Sequence, residues 1–529
     1  MLSAQELLAL PIQALNDDCN PTPTSIEETQ VEDDIRQVLE RTDSLDGSGD
    51  HLKVRLHKRA HMAFIHKLLA KPLPAAYVAF DATRPWLLYW SLHAWVLMNQ
   101  EPLNDQIRKR AVTTLLSCQN KDLGGFGGGP GQIPHLMATY AAINALCIAG
   151  RGPQDWDSID RRKLYAWMLR LKQPDGSFTV HEGGEVDVRA SYCVWCIATL
   201  TGVATVELLQ GTRGFLASCQ SYEGGLASTS YPTYTDSLQL DTNAERPALG
   251  EAHGGYAFCA TAAYLGLSLL GDPDYDAKMS GSSDEASKVV LDDLLNPEHQ
   301  QQRLDLRKLT RWTVGLQCPF PSQGGGYKGR INKLVDGCYS WFSGSGMWGV
   351  LESLRILEQE QDAATAGSAS ATAKEELWDR RALQLYILLV AQDQALDKGG
   401  SGGLRDKPGK KADAYHTCYN LAGLSGAQHV VRPCKVTRKF CYDAWSHHHS
   451  QDASQTVTSV QDRDEELRRR IFSSSLGFNL ATGREKVVVG EDQQGMAGNE
   501  VLPTHPVLNV GFVQVREMML WAYGQTLGA

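Results

Sequence analysis

Apolar residues recur along this chain with helical spacing, and short clusters rich in glycine separate the helix-like segments. Segments at 139–148, 189–200 and 256–270 each follow such a cluster. The clusters themselves lie at 124–129, 175–178, 223–226, 324–327 and 399–403. The first three are spaced by roughly 50 residues, the upper end of the periods found in architectures built from repeated helix pairs. The pattern therefore predicts an all-α protein made of repeated helical pairs.

The sequence near the N-terminus predicts a leading helix. Ser25 and Glu28 have the spacing of a capping box, in which each side chain accepts a hydrogen bond from the other residue's backbone N–H. Ile35, Val38 and Leu39 then fall on one face of the helix that follows. We expect this helix to dock on the rest of the protein through that face.

Later glycine clusters are spaced more widely, which indicates insertions between the repeats. Four stretches are rich in Ser, Thr, Asp, Ala and Gln, a composition typical of surface loops. We expect an N-terminal extension with the leading helix at 1–50 and a repeat domain at 51–529, with insertions at 228–249, 272–302, 359–374 and 432–500. The last insertion contains His447, His448 and His449, which could bind metal, but neighbouring histidines in a polar loop are more often solvated.

Composition and charge narrow the class of protein. With 529 residues, 42% of them hydrophobic, the chain can bury a large core. A formal net charge of -10 gives no overall basic field for nucleic acid or an anionic membrane, so an anionic ligand requires a local basic cluster. No stretch reaches the roughly 18 apolar residues of a membrane span. Twelve scattered cysteines fit reduced thiols. We expect a cytoplasmic protein without membrane insertion.

Three residues have the chemistry of a zinc site. Asp336 and Cys338 stand two positions apart at the start of an aromatic-rich apolar segment, and His416 lies in a second such segment. One O, one S and one N ligand suit zinc, and a catalytic zinc has three protein ligands with the fourth position left to substrate or water. The alternative is a buried structural cysteine and a hydrogen-bonded core histidine, since this spacing also arises by chance.

A run of cations lies just before the two candidate ligands. Residues 327–333 include Arg330 and Lys333, and Tyr339 follows the cysteine. A glycine turn that opens into a helix aims backbone N–H groups and such side chains at one point, as in phosphate sites. His253 could join them from another repeat. The alternative for any single run of Lys and Arg is a solvated basic loop.

Aromatic residues fall on many of the helix-like segments that follow glycine turns. They could line one concave surface and offer an apolar wall to a hydrocarbon ligand, although core packing explains any single one equally well. They are Trp86, Tyr89, Trp90, Tyr140, Tyr192, Tyr256, Tyr339, Trp341 and Tyr419. A metal site, a diphosphate-sized cationic pocket and an aromatic tunnel together suggest a prenyl diphosphate that reacts with a thiolate.

Long motifs outside the insertions resemble the beta subunits of protein farnesyltransferases. They read GGFGGGPGQ at 124–132, GGEVDVR at 183–189, EAHGGY at 251–256, NKLVDGCYS at 332–340, DKPGK at 406–410 and THPV at 504–507. The resemblance implies an α/α toroid, a barrel of helical hairpins, and an obligate heterodimer with a prenyltransferase alpha subunit. It also implies transfer of farnesyl from farnesyl diphosphate to proteins that end in a CaaX motif, such as small GTPases.

The resemblance further implies roles for residues that match the family's positions. Zn2+ would be held by Asp336, Cys338 and His416, and Mg2+ by Asp406 against the diphosphate. The diphosphate would be bound by His253, Arg330, Lys333 and Tyr339, of which Lys333 and Tyr339 also count as catalytic. The isoprenoid would contact Trp86, Tyr192, Gly255, Tyr256, Cys259, Phe342 and Tyr419. The peptide would contact Trp86, Trp90, His135, Glu185, Arg189 and Tyr415.

Two aromatic residues bear on which isoprenoid is transferred. In the family, a tryptophan at the position of Trp86 and a tyrosine at that of Tyr419 fill the end of the lipid tunnel. The relatives that transfer geranylgeranyl lack the aspartate present here as Asp406. These three residues favour farnesyl, and the beta subunit of geranylgeranyltransferase type I is the alternative.

The chain also departs from the family's pattern. The family usually reads Phe-Trp where this chain has Trp341 and Phe342, which bears on lipid affinity and not on the reaction. Thr83, Met137 and Ala138 differ near the pocket for the last peptide residue, so the preference there is left open. A terpene cyclase would need an Asp-rich motif that the chain lacks, and a non-catalytic toroid would tolerate the loss of ligands that are all present.

Overall fold

The computed structural model describes residues 20–43, 54–98, 101–237, 246–271, 303–366, 376–392, 401–449, 460–482 and 496–524, and the single residues 241, 244 and 295. The α-helices of these parts, in chain order, are α1 (Pro23–Asp43), α2 (Lys58–Ala70), α3 (Arg84–Met98), α4 (Asp105–Ser117), α5 (Leu136–Ala149), α6 (Pro153–Trp156), α7 (Arg161–Leu171), α8 (Val188–Thr201), α9 (Val206–Leu209), α10 (Thr212–Ser218), α11 (Gly254–Ser268), α12 (Leu306–Val314), α13 (Gly346–Ala366), α14 (Arg380–Leu385), α15 (Ala414–Gln428), α16 (Lys435–His449), α17 (Val460–Leu476), α18 (Met496–Asn499) and α19 (Phe512–Gly524).

Short strands and turns of 3-10 and π geometry make up the remaining regular structure of the described residues. The strands form two antiparallel pairs, β1 (Thr229–Ser230) with β2 (Ala248–Leu249) and β3 (His429–Pro433) with β4 (Phe478–Thr482). Ala75–Thr83 and Leu269–Gly271 are 3-10 turns, whereas Ser340–Ser345 and Tyr386–Val390 are π turns. The π turn at Ser340–Ser345 leads directly into α13.

Six helices form a closed inner ring. In order, α3, α5, α8, α11, α13 and α15 each pack against the next, and α15 packs back on α3. A second set, α2, α4, α7, α10, α12 and α14, packs outside the ring, each against the inner helix that follows it in the sequence. The prediction of an α/α toroid built from helical hairpins is therefore confirmed.

The burial pattern explains which helix takes which place. Almost every side chain of α5 is buried, as in a helix surrounded by protein on all sides. The outer helix α7 buries only one stripe, Leu164, Trp167, Met168 and Leu171, at the spacing of one helical face. The inner helix α5 is thus surrounded by protein, whereas the outer helix α7 keeps a polar face toward solvent.

A glutamine at a repeated position joins four of the outer helices to a glycine turn. In four turns the glutamine side-chain oxygen accepts a hydrogen bond from the backbone N–H at the start of the next outer helix. The pairs are Gln119 with Asp160 at 3.3 Å, Gln220 with Asp305 at 2.8 Å, Gln317 with Asp379 at 2.9 Å and Gln392 with His57 at 3.0 Å. Since the last pair connects the last turn to the first outer helix, it closes the ring.

Glycine is required where these turns touch the next outer helix. Gly124 has φ +94°, and a Cβ there would lie 2.2 Å from the backbone of Lys163 at the start of α7. Gly402 has φ +71°, and its Cβ would lie 2.1 Å from the carbonyl oxygen of Ala60 in α2. Both the positive φ and the close backbone contact exclude a side chain. The glycine clusters therefore mark the joints of the toroid.

The leading helix forms, but its cap differs from the prediction. The side chains of Thr22 and Ser25, not those of Ser25 and Glu28, make the reciprocal hydrogen bonds to backbone N–H groups, at 3.1 and 2.8 Å. The Glu28 carboxylate instead lies 2.5 Å from the Lys328 ammonium group. As predicted, Ile35 is buried, and α1 packs against the π turn at Tyr386–Val390.

The insertion predicted at 432–500 is not simply a loop. It contains α16 and α17, which pack on each other, and β4, which pairs with β3. Buried apolar residues such as Trp445 and Ile471 attach this unit to the ring, and its polar composition concealed them. The side chains of His447, His448 and His449 lie outside the described residues. So do residues 272–294, 296–302 and 367–375, which make up most of the insertions expected at 272–302 and 359–374. Residues 359–366 of the second one belong to α13.

One helix passes the length test for a membrane span, contrary to the sequence expectation. The segment Gly254–Gly271 is apolar over 18 residues, yet 78% of it is buried inside the protein. Since α11 belongs to the inner ring, this segment has the character of a core helix. The eleven cysteines within the described residues are free thiols, in agreement with the reduced state expected.

Candidate active site

The N-terminal ends of the inner helices meet at one end of the ring. The N-cap residues His135, Asp187, His253 and Asp413 each accept a hydrogen bond from a backbone N–H of the helix they begin. Asp336 does the same for Cys338 at the entry to the Ser340–Ser345 turn. The predicted site residues therefore lie where unpaired N–H groups and helix dipoles favour anions.

Asp336, Cys338 and His416 converge, as the sequence predicted. Their ligand atoms all lie within 4.8 Å of one another, although His416 belongs to a different repeat from the other two residues. The Asp336 carboxylate lies 3.2 Å from Nε2 of His416, and the Cys338 side chain is buried. On the far side of the imidazole, Oδ2 of Asp413 lies 2.7 Å from Nδ1. The cluster thus offers O, S and N ligands, with the histidine oriented from behind.

The charges of this cluster depend on one another. Burial, followed by the charge of Asp336, raises the pKa of Cys338 well above its usual range. Burial acts to lower the pKa of His416, but hydrogen bonds to Asp336 and Asp413 outweigh it and raise the pKa to about 10. Burial also acts against ionisation of Asp336, yet contact with His416 lowers its pKa. Without a metal, a proton on His416 therefore holds the two carboxylates together.

The residues of the cluster fit a divalent metal ion. A cation could replace the proton that joins Asp336 and His416, and it would stabilise the thiolate of Cys338. No fourth ligand from a His, Cys, Asp or Glu accompanies these three in the described part of the chain. Three protein ligands are typical of a catalytic site with one open position, whereas a structural zinc site has four.

Asp406 lies beside the metal-ligand cluster. Its Oδ2 accepts from the Lys407 ammonium at 2.5 Å, whereas its buried Oδ1 has no hydrogen-bond partner. Burial and the nearby charge of Asp336 raise the pKa of Asp406. A buried carboxylate oxygen without a partner is costly, and a second cation would satisfy it.

The residues predicted to bind diphosphate lie next to the cluster. Nε2 of His253 is 3.0 Å from the Tyr339 hydroxyl, and Nδ1 of His253 accepts from the N–H of Gly255. Burial and the nearby Arg330 lower the pKa of His253, so the imidazole is neutral at pH 7. Arg330 makes a 2.7 Å ion pair with Glu251, and Lys333 is half-buried. Arg330 is thus held by an ion pair, and Lys333 supplies a second positive charge on the same segment.

An unbroken circuit of aromatic rings lines the inner helices. Neighbouring ring centres lie 4.4 to 5.8 Å apart around the whole circuit. The members in order are Trp86, Trp90, Tyr415, Tyr419, Phe342, Phe258, Tyr192 and Tyr140. Four residues predicted for this wall stand outside the circuit: Tyr89, Tyr256, Tyr339 and Trp341, the last of which contacts Phe258. Most of the predicted aromatic wall is therefore present.

The residues predicted to meet the peptide occupy the ends of α3, α5, α8 and α15. Arg189 makes a bidentate pair with Asp187, at 2.9 and 2.7 Å, and stacks over the Tyr256 ring at 5.1 Å. Its partner is therefore Asp187, whereas Glu185 is exposed. The His135 ring lies 5.5 Å from that of His181.

The remaining predicted site residues lie close to these groups. The thiol of Cys259 is buried, and burial raises its pKa to about 12. The Tyr256 ring contacts His253 at 4.9 Å. The ring of Tyr415 packs against His416 at 4.9 Å, next to the metal-ligand cluster. Both tyrosines thus border the polar and the aromatic part of the site.

Several functional residues were missed by sequence reasoning. Asp413 stands three residues before His416, an N-cap spacing that could have revealed it. Asp187 is likewise an N-cap residue, that of α8, and it stands two residues before Arg189. Phe258 follows Tyr256 on α11, and nothing in the sequence distinguishes it from a core residue. Glu251 belongs to the motif EAHGGY, in which roles were predicted for other residues but not for the glutamate. Glu251 and Phe258 become visible as site residues only when neighbouring repeats are placed side by side, because their partners Arg330 and Phe342 come from the next repeat.

Comparison with known proteins identifies the family. The model for the prenyltransferase alpha-alpha toroid domain matches residues 56–510. A protein farnesyltransferase subunit beta of Pyricularia oryzae is 36% identical over 70% of this chain, which spans only 63% of that relative. Those of Pisum sativum and Schizosaccharomyces pombe are each 35% identical, over 69% and 73% of this chain and 82% and 81% of their own lengths. The chain belongs to the prenyltransferase alpha-alpha toroid family, and within it to the protein farnesyltransferase beta subunits.

The alternative subfamily matches less well. A geranylgeranyl transferase type-1 subunit beta of Arabidopsis thaliana is 26% identical over 55% of this chain and 58% of its own length. The farnesyltransferase relatives share both more identity and more length. The assignment to the farnesyltransferase beta subunits made from the motifs is therefore confirmed.

Proposed function

We propose that this chain is the catalytic subunit that transfers farnesyl from farnesyl diphosphate to the cysteine thiol of a C-terminal CaaX motif. One observation carries the proposal. The cluster of Asp336, Cys338 and His416 lies directly beside the pair formed by His253 and Tyr339. Residues that could bind a metal and so activate a thiolate thus lie next to hydrogen-bond donors that could stabilise a departing diphosphate. Formation of the thioether requires both functions.

The proposed metal is Zn2+, held by Asp336, Cys338 and His416. Its mixed O, S and N ligand set suits zinc better than magnesium or calcium, which prefer oxygen alone. When bound, zinc would accept the substrate cysteine at its open position and lower the pKa of that thiol. Asp413 would fix the orientation and tautomer of His416 through the 2.7 Å contact to Nδ1.

The diphosphate would be stabilised by this chain's own donors. The Tyr339 hydroxyl and the His253 imidazole point to the same region, and Arg330 and Lys333 supply positive charge. Negative charge grows on the diphosphate as the bond to C1 of the isoprenoid breaks, so these groups stabilise the transition state most. Mg2+ at Asp406 would neutralise the same charge, which agrees with the unpartnered Oδ1.

The aromatic circuit would bind the farnesyl chain. Trp86 and Tyr419 stand within the circuit, and their bulk limits the length of isoprenoid that fits. The proposed isoprenoid contacts are Trp86, Tyr192, Gly255, Tyr256, Cys259, Phe342 and Tyr419. The peptide would enter above them and meet Trp86, Trp90, His135, Glu185, Arg189 and Tyr415.

A prenyltransferase alpha subunit is the proposed partner, and CaaX-terminated proteins such as small GTPases are the proposed substrates. We place the reaction in the cytoplasm, where the free thiols of the described residues would stay reduced. The domain boundaries proposed from the sequence, 1–50 and 51–529, remain a proposal.

A direct test uses the chain co-expressed with an alpha subunit. Transfer to a CaaX peptide is measured with farnesyl and geranylgeranyl diphosphate in parallel. The proposal expects farnesyl transfer that is lost on zinc removal and restored by adding zinc. A complex that transfers only geranylgeranyl would contradict the proposed lipid, and transfer that survives complete zinc removal would contradict the mechanism.

A further inference from the structure

The proposed diphosphate ligands Arg330 and Lys333 sit on a small hairpin. Lys328 and Val335 pair across its base as an antiparallel bridge, and Lys328 precedes the tip that carries the two cations. After the base the chain runs directly into Asp336, whose N–H donates to the Tyr327 carbonyl at 3.1 Å. Any shift of this base would therefore move the diphosphate cations and the first metal ligand together.

Helix α1 holds the base of this hairpin from outside. The Glu28 carboxylate lies 2.5 Å from the Lys328 ammonium, and these side chains are only 24% and 16% exposed. One turn further along α1, Glu32 accepts a hydrogen bond from Gln323. Another turn on, the fully buried Ile35 packs where a Cβ of Gly324 would stand. One face of α1 thus touches the segment that enters the hairpin at three successive turns.

A second contact links α1 to the metal-ligand pair. Helix α1 packs on the π turn that begins with Tyr386. The Tyr386 hydroxyl donates to the Asp406 carbonyl at 2.7 Å, and the same carbonyl accepts from the N–H of Gly337 at 2.8 Å. Gly337 stands between Asp336 and Cys338. The helix therefore supports the site from two sides without entering it.

We propose that α1 is a positioning element of the transferase and that the ion pair of Glu28 and Lys328 sets the cationic hairpin for the diphosphate. The inference rests on the proposed function, and it adds to that function a role for a helix outside the ring. Glu28 lies on the outer side of the hairpin base, so it acts through Lys328 and not on the substrate. Since both side chains are largely buried, removing one charge leaves the other poorly solvated and loosens the base.

The test compares two variants of α1 in the full heterodimer. Glu28→Gln breaks the pair with Lys328. Asp33→Asn removes the same charge from the same helix, where Asp33 forms a partly exposed ion pair with the neighbouring Arg36. The Michaelis constants for farnesyl diphosphate and for peptide are measured separately, together with kcat. Exchange of amide hydrogens in residues 327–338 gives a readout that does not require activity.

We expect Glu28→Gln to raise the KM for farnesyl diphosphate about three- to tenfold, with the peptide KM unchanged and exchange in 327–338 accelerated. Asp33→Asn should match the wild type in both Michaelis constants, in kcat and in exchange. The double variant Glu28→Lys with Lys328→Glu, which reverses both charges, should bring the KM for farnesyl diphosphate much of the way back to the wild-type value. If Glu28→Gln left both the KM for farnesyl diphosphate and the amide exchange in 327–338 unchanged, the inference would be overturned.

Two further outcomes would also overturn it. Tighter binding of farnesyl diphosphate by Glu28→Gln would mean that Lys328 is itself a ligand that Glu28 competes for. If Glu28→Gln raised both Michaelis constants equally and the charge reversal did not lower them again, the effect would be a general destabilisation of the protein. A wild-type complex that transfers no isoprenoid would defeat the proposed function instead, and hydrogen exchange would still decide whether α1 positions the hairpin.

Discussion

The N–H of Gly337 donates a 2.8 Å hydrogen bond to the carbonyl oxygen of Asp406. This bond joins the segment of Asp336 and Cys338 to the glycine-rich turn that precedes α15 and His416. A second bond, from the Asn420 amide to the Arg405 carbonyl at 3.1 Å, ties the same turn to α15. The two halves of the metal-ligand cluster are thus fixed by one backbone hydrogen bond and one side-chain hydrogen bond before any ion binds.

Asp413 gives a first prediction, since it both caps α15 and contacts His416. Asp413→Ala should lower zinc affinity about 10- to 100-fold and cost about 1 kcal/mol of stability. Asp413→Asn should keep the cap, and so the stability, while losing zinc affinity, because an amide orients the imidazole without its negative charge. Competition with a chelator measures the affinity and thermal unfolding the stability. Wild-type zinc affinity in Asp413→Asn would contradict the role of Asp413.

The raised pKa values of the cluster give a second prediction. At pH 7 the metal-free His416 is protonated, since its pKa is raised to about 10, and Cys338 is a thiol because burial and Asp336 raise its pKa. Asp336 is already ionised, since its pKa is lowered. Zinc binding should therefore release about two protons, and affinity should rise with pH, by about a hundredfold per pH unit between pH 6 and 8. Calorimetry in buffers of different ionisation enthalpy counts the protons. Release of none would contradict the assigned protonation states.

Trp86 gives a third prediction, on lipid length. Its ring lies 5.4 Å from that of Trp90 and 5.6 Å from that of Tyr140, so Trp86→Ala opens the aromatic circuit. The ratio of geranylgeranyl to farnesyl transfer should rise at least about tenfold, because the space left by the indole ring can hold the additional carbon atoms of the longer isoprenoid. Leu87→Ala, on the same helix but outside the circuit, should leave the ratio unchanged. Equal ratios in both variants would place the length limit elsewhere.

The contact between Gly402 and helix α2, which closes the ring, gives a fourth prediction. Gly402 and Gly409 both have positive φ, +71° and +79°, but a Cβ would collide with Ala60 only at Gly402. Gly409→Ala should cost about 1 kcal/mol for the strained φ alone. Gly402→Ala should cost clearly more, because the backbone of α2 must also move. Chemical denaturation compares the two variants, and equal losses would show that this joint is not tightly packed.

The fold could be predicted from the sequence because its repeats carry local signals. Glycine turns such as 124–129 are visible, since each needs a positive φ and a close backbone approach. The α16 and α17 unit was mistaken for a loop, because its apolar residues are diluted by charged ones that face solvent. The cap of α1 was also misassigned, because Glu28 makes a contact 300 residues away in the chain.

The site could be predicted only in part for a related reason. The candidate metal ligands Asp336, Cys338 and His416 have distinctive chemistry and stand in recognisable motifs. Their partners do not: Asp413 and Asp187 look like ordinary helix caps until the structure places them beside His416 and Arg189. Contacts between repeats, such as His416 with Asp336 and His253 with Tyr339, depend on how the ring closes, and spacing along the chain does not encode that.

Metal analysis of the purified heterodimer tests the central claim most directly. Mass spectrometric counting of metals should find about one zinc ion per chain in the wild type. Cys338→Ala should contain little zinc and transfer no farnesyl, at a thermal unfolding temperature near that of the metal-free wild type. A wild-type complex that transfers farnesyl without zinc, or a Cys338→Ala complex that retains full activity, would contradict the account.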